Sequence, residues 1–277
     1  MKRWNPERVH GSRDYYRVKK DGYLYELVPV LFITKPSEAE NVTDSSPLHT
    51  SWALNNFNKQ SKDLRGDVRL AKLFCKTARV YGAESYISGF SGHVLDVLII
   101  HYKGFVPLLK AVVSWDSENK IVIDHEKTHK GKALRHLNTS KTDGPLIIVD
   151  PVDPTRNAAA AVGKEAVEKL QTTATLFLKR PSKEFFDPTF QPPNSQKYYC
   201  VRGTTTEGKP DIVGARFKHA HEQLINALKD FGVTSAHWYW TPGEDAWFWY
   251  SLKMTHVKSI ERKGPPINLK EHAEAFK

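Results

Sequence analysis

Cysteine and methionine are scarce, with two of each in 277 residues. Cys75 and Cys200 stand far apart and form no Cys-x-x-Cys pair, so neither a disulfide framework nor a zinc site is implied, and a reducing cytoplasm fits. Long apolar runs are lacking as well. None approaches the roughly 20 residues that span a bilayer, and Met1-Lys2-Arg3 leads into no signal-peptide core. The expectation is a soluble protein with no membrane partner. Internal repeats and low-complexity tracts are also missing. Acid is short relative to base: 41 Lys and Arg against 31 Asp and Glu leave a formal charge of +10. That balance suits a polyanionic partner such as RNA, although a basic surface can also serve solubility alone. The length admits one large domain or two to three smaller ones.

The stretch from Asp67 to Gly92 organises the rest. Val68, Leu70, Ala71, Phe74, Cys75 and Ala78 form an apolar stripe at helical spacing, while Arg69, Lys72, Lys76 and Arg79 form a cationic one. Asp67 is the expected N-cap and Gly82 the expected stop. The turn Gly89-Phe90-Ser91-Gly92 and an apolar run to Tyr102 follow. A cationic helix leading into such a turn could hold a phosphate; it could equally be an amphipathic helix with a solvated basic face.

Before it, Arg13 to Ile33 reads as a β-hairpin turning at Lys19-Lys20-Asp21-Gly22. Glu26 interrupts its second strand. It is either a solvent-facing strand position or a metal ligand of the kind that phosphoryl transfer requires. Residues 34–66 turn polar, and 55–66 read as a helix continuation or linker. His49 lies there, and a lone loop histidine is ordinarily just solvated.

After it, Ala111 to Trp115 and Ile121 to Asp124 read as short strands or core segments. Residues 125–142 read as a basic surface loop. Leu146 to Val149 reads as a buried strand. Asp153 as N-cap and Pro154 as first residue should open a helix running to about Leu178. That would set Arg156 in the first turn, where a cation opposes the helix dipole and wants an anion nearby. Beyond a proline-rich turn, Tyr198 to Arg202 reads as strand, Asp211 to His219 as strand or turn and Ala220 to Phe231 as helix. The aromatic segments around Trp238 and Trp247 read as a hairpin. Its rings either face a helix or stack on bases.

Several of these residues carry a resemblance. The pattern VRLAKxFxKxxxVYGAExxxxGFSG from Val68 to Gly92, with VDPVDPxRNxAAA from Val149, resembles archaeal (class I) CCA-adding tRNA nucleotidyltransferases. Weaker likenesses lie at KPDIV near Lys209 and RKGPP at Arg262 to Pro266. The resemblance implies an α+β protein: residues 1–60 a remnant of the nucleotidyltransferase head, 61–185 a helical neck like the central domain of poly(A) polymerases, and 186–277 an incomplete RNA-binding body. It implies addition of C, C and A to tRNA 3′ ends from CTP and ATP with Mg²⁺. Lys72, Tyr81, Arg156 and His49, the last within a segment like the family's Asp-Arg-Thr-Pro-Phe-His, would contact the nucleotide. Glu26-Leu27-Val28-Pro29 matches the strand of the family's third catalytic carboxylate, making Glu26 the catalytic metal ligand, with Glu replacing Asp. The family's first two carboxylates and its Gly-Ser motif lie upstream of that strand, and only 25 residues precede Glu26 here. The expectation is a chain inactive alone, partnered by tRNA, by ATP and CTP and by a separate polypeptide supplying the other head half, with a homodimer also admitted. Two alternatives stand beside it: a non-catalytic tRNA- or RNA-binding module, and a poly(A)-polymerase-like relative.

Overall fold

A computed structural model describes residues 5–10, 13–116, 118–193, 197–204, 207–256 and 268. The chain divides into two compact units, Met1–Thr189 and Phe190–Lys277. Among the described residues the architecture is mixed α/β, with three small sheets. No helix is long and apolar enough to cross a membrane.

The first unit begins with an antiparallel sheet of β1 (Glu7–Val9), β2 (Tyr15–Lys20) and β3 (Tyr23–Leu27), in that order. Lys20 pairs with Tyr23, so the turn is Asp21-Gly22 alone. Both residues have positive φ, +52° and +78°, the conformation that matches the twist of a tight hairpin. The expected second strand is cut short. After Leu27 the chain leaves the sheet, and the Leu31 N–H is taken by the buried Asp44 carboxylate at 2.9 Å. Asp44 also accepts from Asn41 N at 2.9 Å and from Arg13 at 2.9 Å. Burial resists its ionisation, but the N–H bonds and the Arg13 charge hold its pKa below the ordinary value.

The helical part follows: α1 (Ser46–Lys59), α2 (Arg65–Thr77), α3 (Gly92–Tyr102) and α4 (Phe105–Val113). His49 therefore sits on a helix, with Pro47 in its first turn, where a loop was expected. The start and stop of α2 also differ from expectation. Asp67 lies inside the first turn and accepts from Lys62 at 2.8 Å. Arg79 takes a left-handed φ of +59°, which ends the helix before Gly82 and frees Val80 to bond Phe90. Ala111 to Val113 completes α4 and is not a strand.

A parallel pair, β4 (Ile121–Ile123) and β5 (Leu146–Ile148), flanks the short α5 (Ala133–His136). Ala133 and Leu137 of the basic segment bury themselves against Ile147 and Val149, which pins what the sequence presents as a free loop. The helix expected from Asp153 begins only at Lys164, as α6 (Lys164–Lys179). Asn157 is the cause. Its Oδ1 accepts from Ile148 N and Ala159 N, both at 2.9 Å, and its Nδ2 donates to Lys141 O at 2.8 Å. Those bonds hold the segment in turns, so Arg156 is not on a helix. Phe74 of α2, Phe105, Phe177, Phe185 and Phe186 form one aromatic cluster in the core, with Phe74 and Phe105 centroids 5.5 Å apart.

The second unit is a sheet of order β6 (Tyr199–Gly203), β8 (Ala246–Leu252), β7 (Val233–Tyr239), with α7 (Pro210–Ala227) packed on it. The strand or turn expected at Asp211 to His219 is the first half of α7. Val213, Phe217 and His221 recur at helical spacing on its buried side, and Pro210 suits the first position. The aromatic hairpin forms as expected, Tyr239 pairing with Trp247, and its inner face meets the helix: Phe217 packs on Trp240, and His221 Nδ1 lies 2.9 Å from the Tyr250 hydroxyl. The RKGPP segment lies outside the described residues.

Candidate functional site

The site grows from the start of α3. Ser91 caps it, its hydroxyl accepting from Val94 N at 3.2 Å. The turn before it is held by a crossing of two extended segments: Phe90 N donates to Val80 O at 2.7 Å and Gly82 N to Phe90 O at 3.0 Å. Only glycine permits this approach, because a Cβ on Gly89 would lie 2.1 Å from the Val80 carbonyl oxygen. The crossing brings Tyr81 beside the helix start. A Cβ on Gly92 would stand 3.3 Å from the Tyr81 hydroxyl and 3.6 Å from Lys72 Nζ. Lys72 reaches this spot from the cationic side of α2 and lies 3.3 Å from Asp96 Oδ1. Burial raises the pKa of Asp96, and the Lys72 charge opposes that only in part. A helix N-terminus, a lysine ammonium and a phenol thus share one corner, a set that favours a phosphate group.

One residue further on, His93 meets His49 of α1, their rings 4.1 Å apart. Both approach Asp150, which follows β5 and is 1% exposed. His49 Nε2 lies 2.9 and 3.0 Å from the two carboxylate oxygens, and His93 Nε2 is 4.0 Å from one of them. Asp150 Oδ1 also accepts from Val152 N at 2.9 Å and Asp153 N at 3.2 Å. Burial works against the Asp150 charge, but the His49 bond and the backbone N–H groups outweigh it and lower the pKa. His93 behaves oppositely: burial, aided by His49, pushes it down to about 4, so it is neutral near pH 7. Arg156 lies close enough to add its charge to that effect.

Four of the five residues singled out in the sequence therefore cluster around the α3 start: Lys72, Tyr81, His49 and, by its field on His93, Arg156. Glu26 does not join them. It sits on β3 opposite Arg17, whose Nε donates to it at 2.9 Å. Mg²⁺ takes several oxygen ligands; the Glu26 carboxylate is already bonded to Arg17 and belongs to no group of three or more candidate metal ligands among the described residues. Sequence reasoning missed His93 and Asp150 as partners of His49, and Asn157 as the clamp of the loop bearing Arg156. The available signals were the position of His93 directly after the Gly-Phe-Ser-Gly turn and that of Asp150 at the end of an apolar strand.

Residues 66–187, which hold all of this corner except His49, match the family model described as tRNA nucleotidyltransferase, second domain. Over longer spans the chain is similar to CCA-adding enzymes. It is 32% identical to that of Nanoarchaeum equitans, covering 96% of this chain and 67% of the relative. The Pyrobaculum neutrophilum enzyme is 33% identical, with 83% and 52% covered. That of Aeropyrum pernix is 32% identical, with 96% and 58% covered. The chain thus spans about half to two thirds of the length of these relatives.

Proposed function

Since the chain belongs to the family of CCA-adding enzymes, we propose that it takes part in building the C-C-A end of tRNA from CTP and ATP. The observation that carries this reading is the meeting of Lys72, the Tyr81 hydroxyl and the α3 N-terminus at Gly92. In-line phosphoryl transfer needs positioning and charge neutralisation more than covalent chemistry from the protein. Lys72 and Arg156 would hold the triphosphate or a base edge, while Tyr81 and His49 orient the nucleotide. Glu26 would contribute one ligand to Mg²⁺ beside carboxylates from elsewhere in the assembly.

In this reading the amino-terminal hairpin is the end of the nucleotidyltransferase sheet, residues 66–187 are the neck, and the second unit grips RNA. A separate polypeptide carrying the rest of the head, or a second copy of the chain, would cover β3. That strand ends its sheet and exposes Tyr23, Leu24 and Leu27, the sort of edge that sheets normally cover. A reducing cytoplasm suits the two free thiols.

The test is binding of tRNA by the purified chain. Log affinity should fall steeply with log salt, because phosphate contacts release counterions. Absence of binding at low salt, or indifference to salt, would overturn the tRNA assignment.

A further inference from the structure

We propose that His49, His93 and Asp150 bind a divalent transition-metal ion of the Zn²⁺ class, at a centre distinct from Glu26. Among the described residues they are the one group of three or more such side chains whose ligand atoms all lie within 4.8 Å of one another. The three come from separate elements: α1, the start of α3 and the turn that follows β5. Their convergence is therefore a product of the fold and not of local sequence.

The donor set is two imidazoles and a carboxylate. Such a set suits Zn²⁺ and its first-row neighbours, whereas Mg²⁺ takes oxygen ligands. The distances are already near what a tetrahedral ion needs. Ligand atoms about 2.0–2.1 Å from Zn²⁺ stand a little over 3 Å from one another. The Asp150 oxygen is 2.9 Å from His49 Nε2 and 4.0 Å from His93 Nε2, so taking up an ion means drawing the His93 ring inward while the His49–Asp150 pair opens slightly.

An independent observation points to the same place. His93 Nε2 is buried and lacks any hydrogen-bond partner, the one such side-chain atom among the described residues. A buried polar atom left unpaired calls for an explanation, and a coordinate bond from the neutral imidazole supplies one. Trp52 braces the ring from one side, its centroid 6.4 Å from that of His93 in an edge-on contact. In the absence of metal the His49 Nε2–H bonds Asp150; with metal, that proton passes to solvent, or to Nδ1 of the same ring if the imidazole is neutral, and the lone pair of Nε2 binds the ion. Three protein ligands leave a fourth position for water or a phosphate oxygen. The centre stands independently of the nucleotide reading, except that both use His49.

The test is a Co²⁺ and Zn²⁺ titration of the chelator-treated chain. Co²⁺ should bind at one equivalent with the intense visible bands of a tetrahedral ion, and Zn²⁺ should displace it and raise the melting temperature. His93→Phe keeps an aromatic ring against His49 and Trp52 while removing the ligand; His49→Phe removes the second. Each should weaken Co²⁺ binding by more than about 100-fold, beyond what loss of an outer-shell partner costs, and abolish the thermal shift while leaving the far-UV spectrum unchanged. No stoichiometric binding by the parent at millimolar Co²⁺ would overturn the assignment. So would parental affinity in both variants, which would locate the ion elsewhere. The readout is metal binding alone, so failure here leaves the tRNA-binding test untouched.

Discussion

His49 Nε2 donates to Asp150 across 101 residues of sequence, at 2.9 Å to one carboxylate oxygen and 3.0 Å to the other. The bond ties the first turn of α1 to the end of β5. It therefore fixes one side of the corner in which the α3 N-terminus meets Lys72 and Tyr81. Asp150 is also an acceptor for two backbone N–H groups, so its structural and electrostatic parts are inseparable.

Asp150→Ala should accordingly destabilise the first unit by about 2–3 kcal/mol, since two half-buried backbone N–H groups and His49 lose their acceptor. Asp150→Asn keeps the Oδ1 acceptor and should cost less than about 1.5 kcal/mol. Urea denaturation of both variants checks this. Equal losses would show that the backbone bonds contribute little.

Asn157 carries a comparable load. Asn157→Ala leaves the N–H groups of Ile148 and Ala159 and the carbonyl of Lys141 without their partner. The expected cost is about 3 kcal/mol, at the high end for a point change. A loss under about 1 kcal/mol would mean that the loop holds itself without this clamp.

These two residues mark where the sequence stops being legible. The Asp21-Gly22 hairpin, the buried strand at Leu146 and the aromatic hairpin are local: turn chemistry or an unbroken apolar run announces each of them. The cationic side of α2 is equally plain. The helix expected from Asp153 failed because a side chain, Asn157, took the backbone groups that a helix would have used. The first half of α7 was hidden by Ile212, Val213 and Gly214, residues that locally favour strand or turn, although their wider 3.6-residue spacing was present. His93 and Asp150 could not be joined to His49 by any spacing, because contact between distant segments carries no periodic signal.

Asp96 offers a test by pH. Burial raises its folded pKa above the ordinary 3.8, so the folded protein holds this proton more tightly than the unfolded chain does. Such a group contributes unfavourably once it ionises: its share of stability falls as pH climbs from 3.8 through the raised value and returns on acidification. Asp96→Asn should remove that fall. The stability difference between variant and parent should shift in the variant's favour as pH rises above about 4. A difference that is flat with pH would contradict the burial argument.

Lys72→Ala and Arg156→Ala test the nucleotide corner. Each should weaken CTP and ATP use in the active assembly by about 1.5–3 kcal/mol, the size of a lost charge-assisted contact, with unchanged far-UV spectra. If both variants use nucleotides as well as the parent, the roles given to these residues are wrong.

The most direct measurement is nucleotide incorporation into a tRNA lacking its C-C-A end, with the chain combined with the amino-terminal half of a related CCA-adding enzyme. Labelled CTP and then ATP should be added, in an amount that depends on the chain and drops when Lys72→Ala replaces the parent. Incorporation that is no greater with the chain than without it, while tRNA still binds in a salt-dependent way, would contradict the account and leave an RNA-binding module in its place.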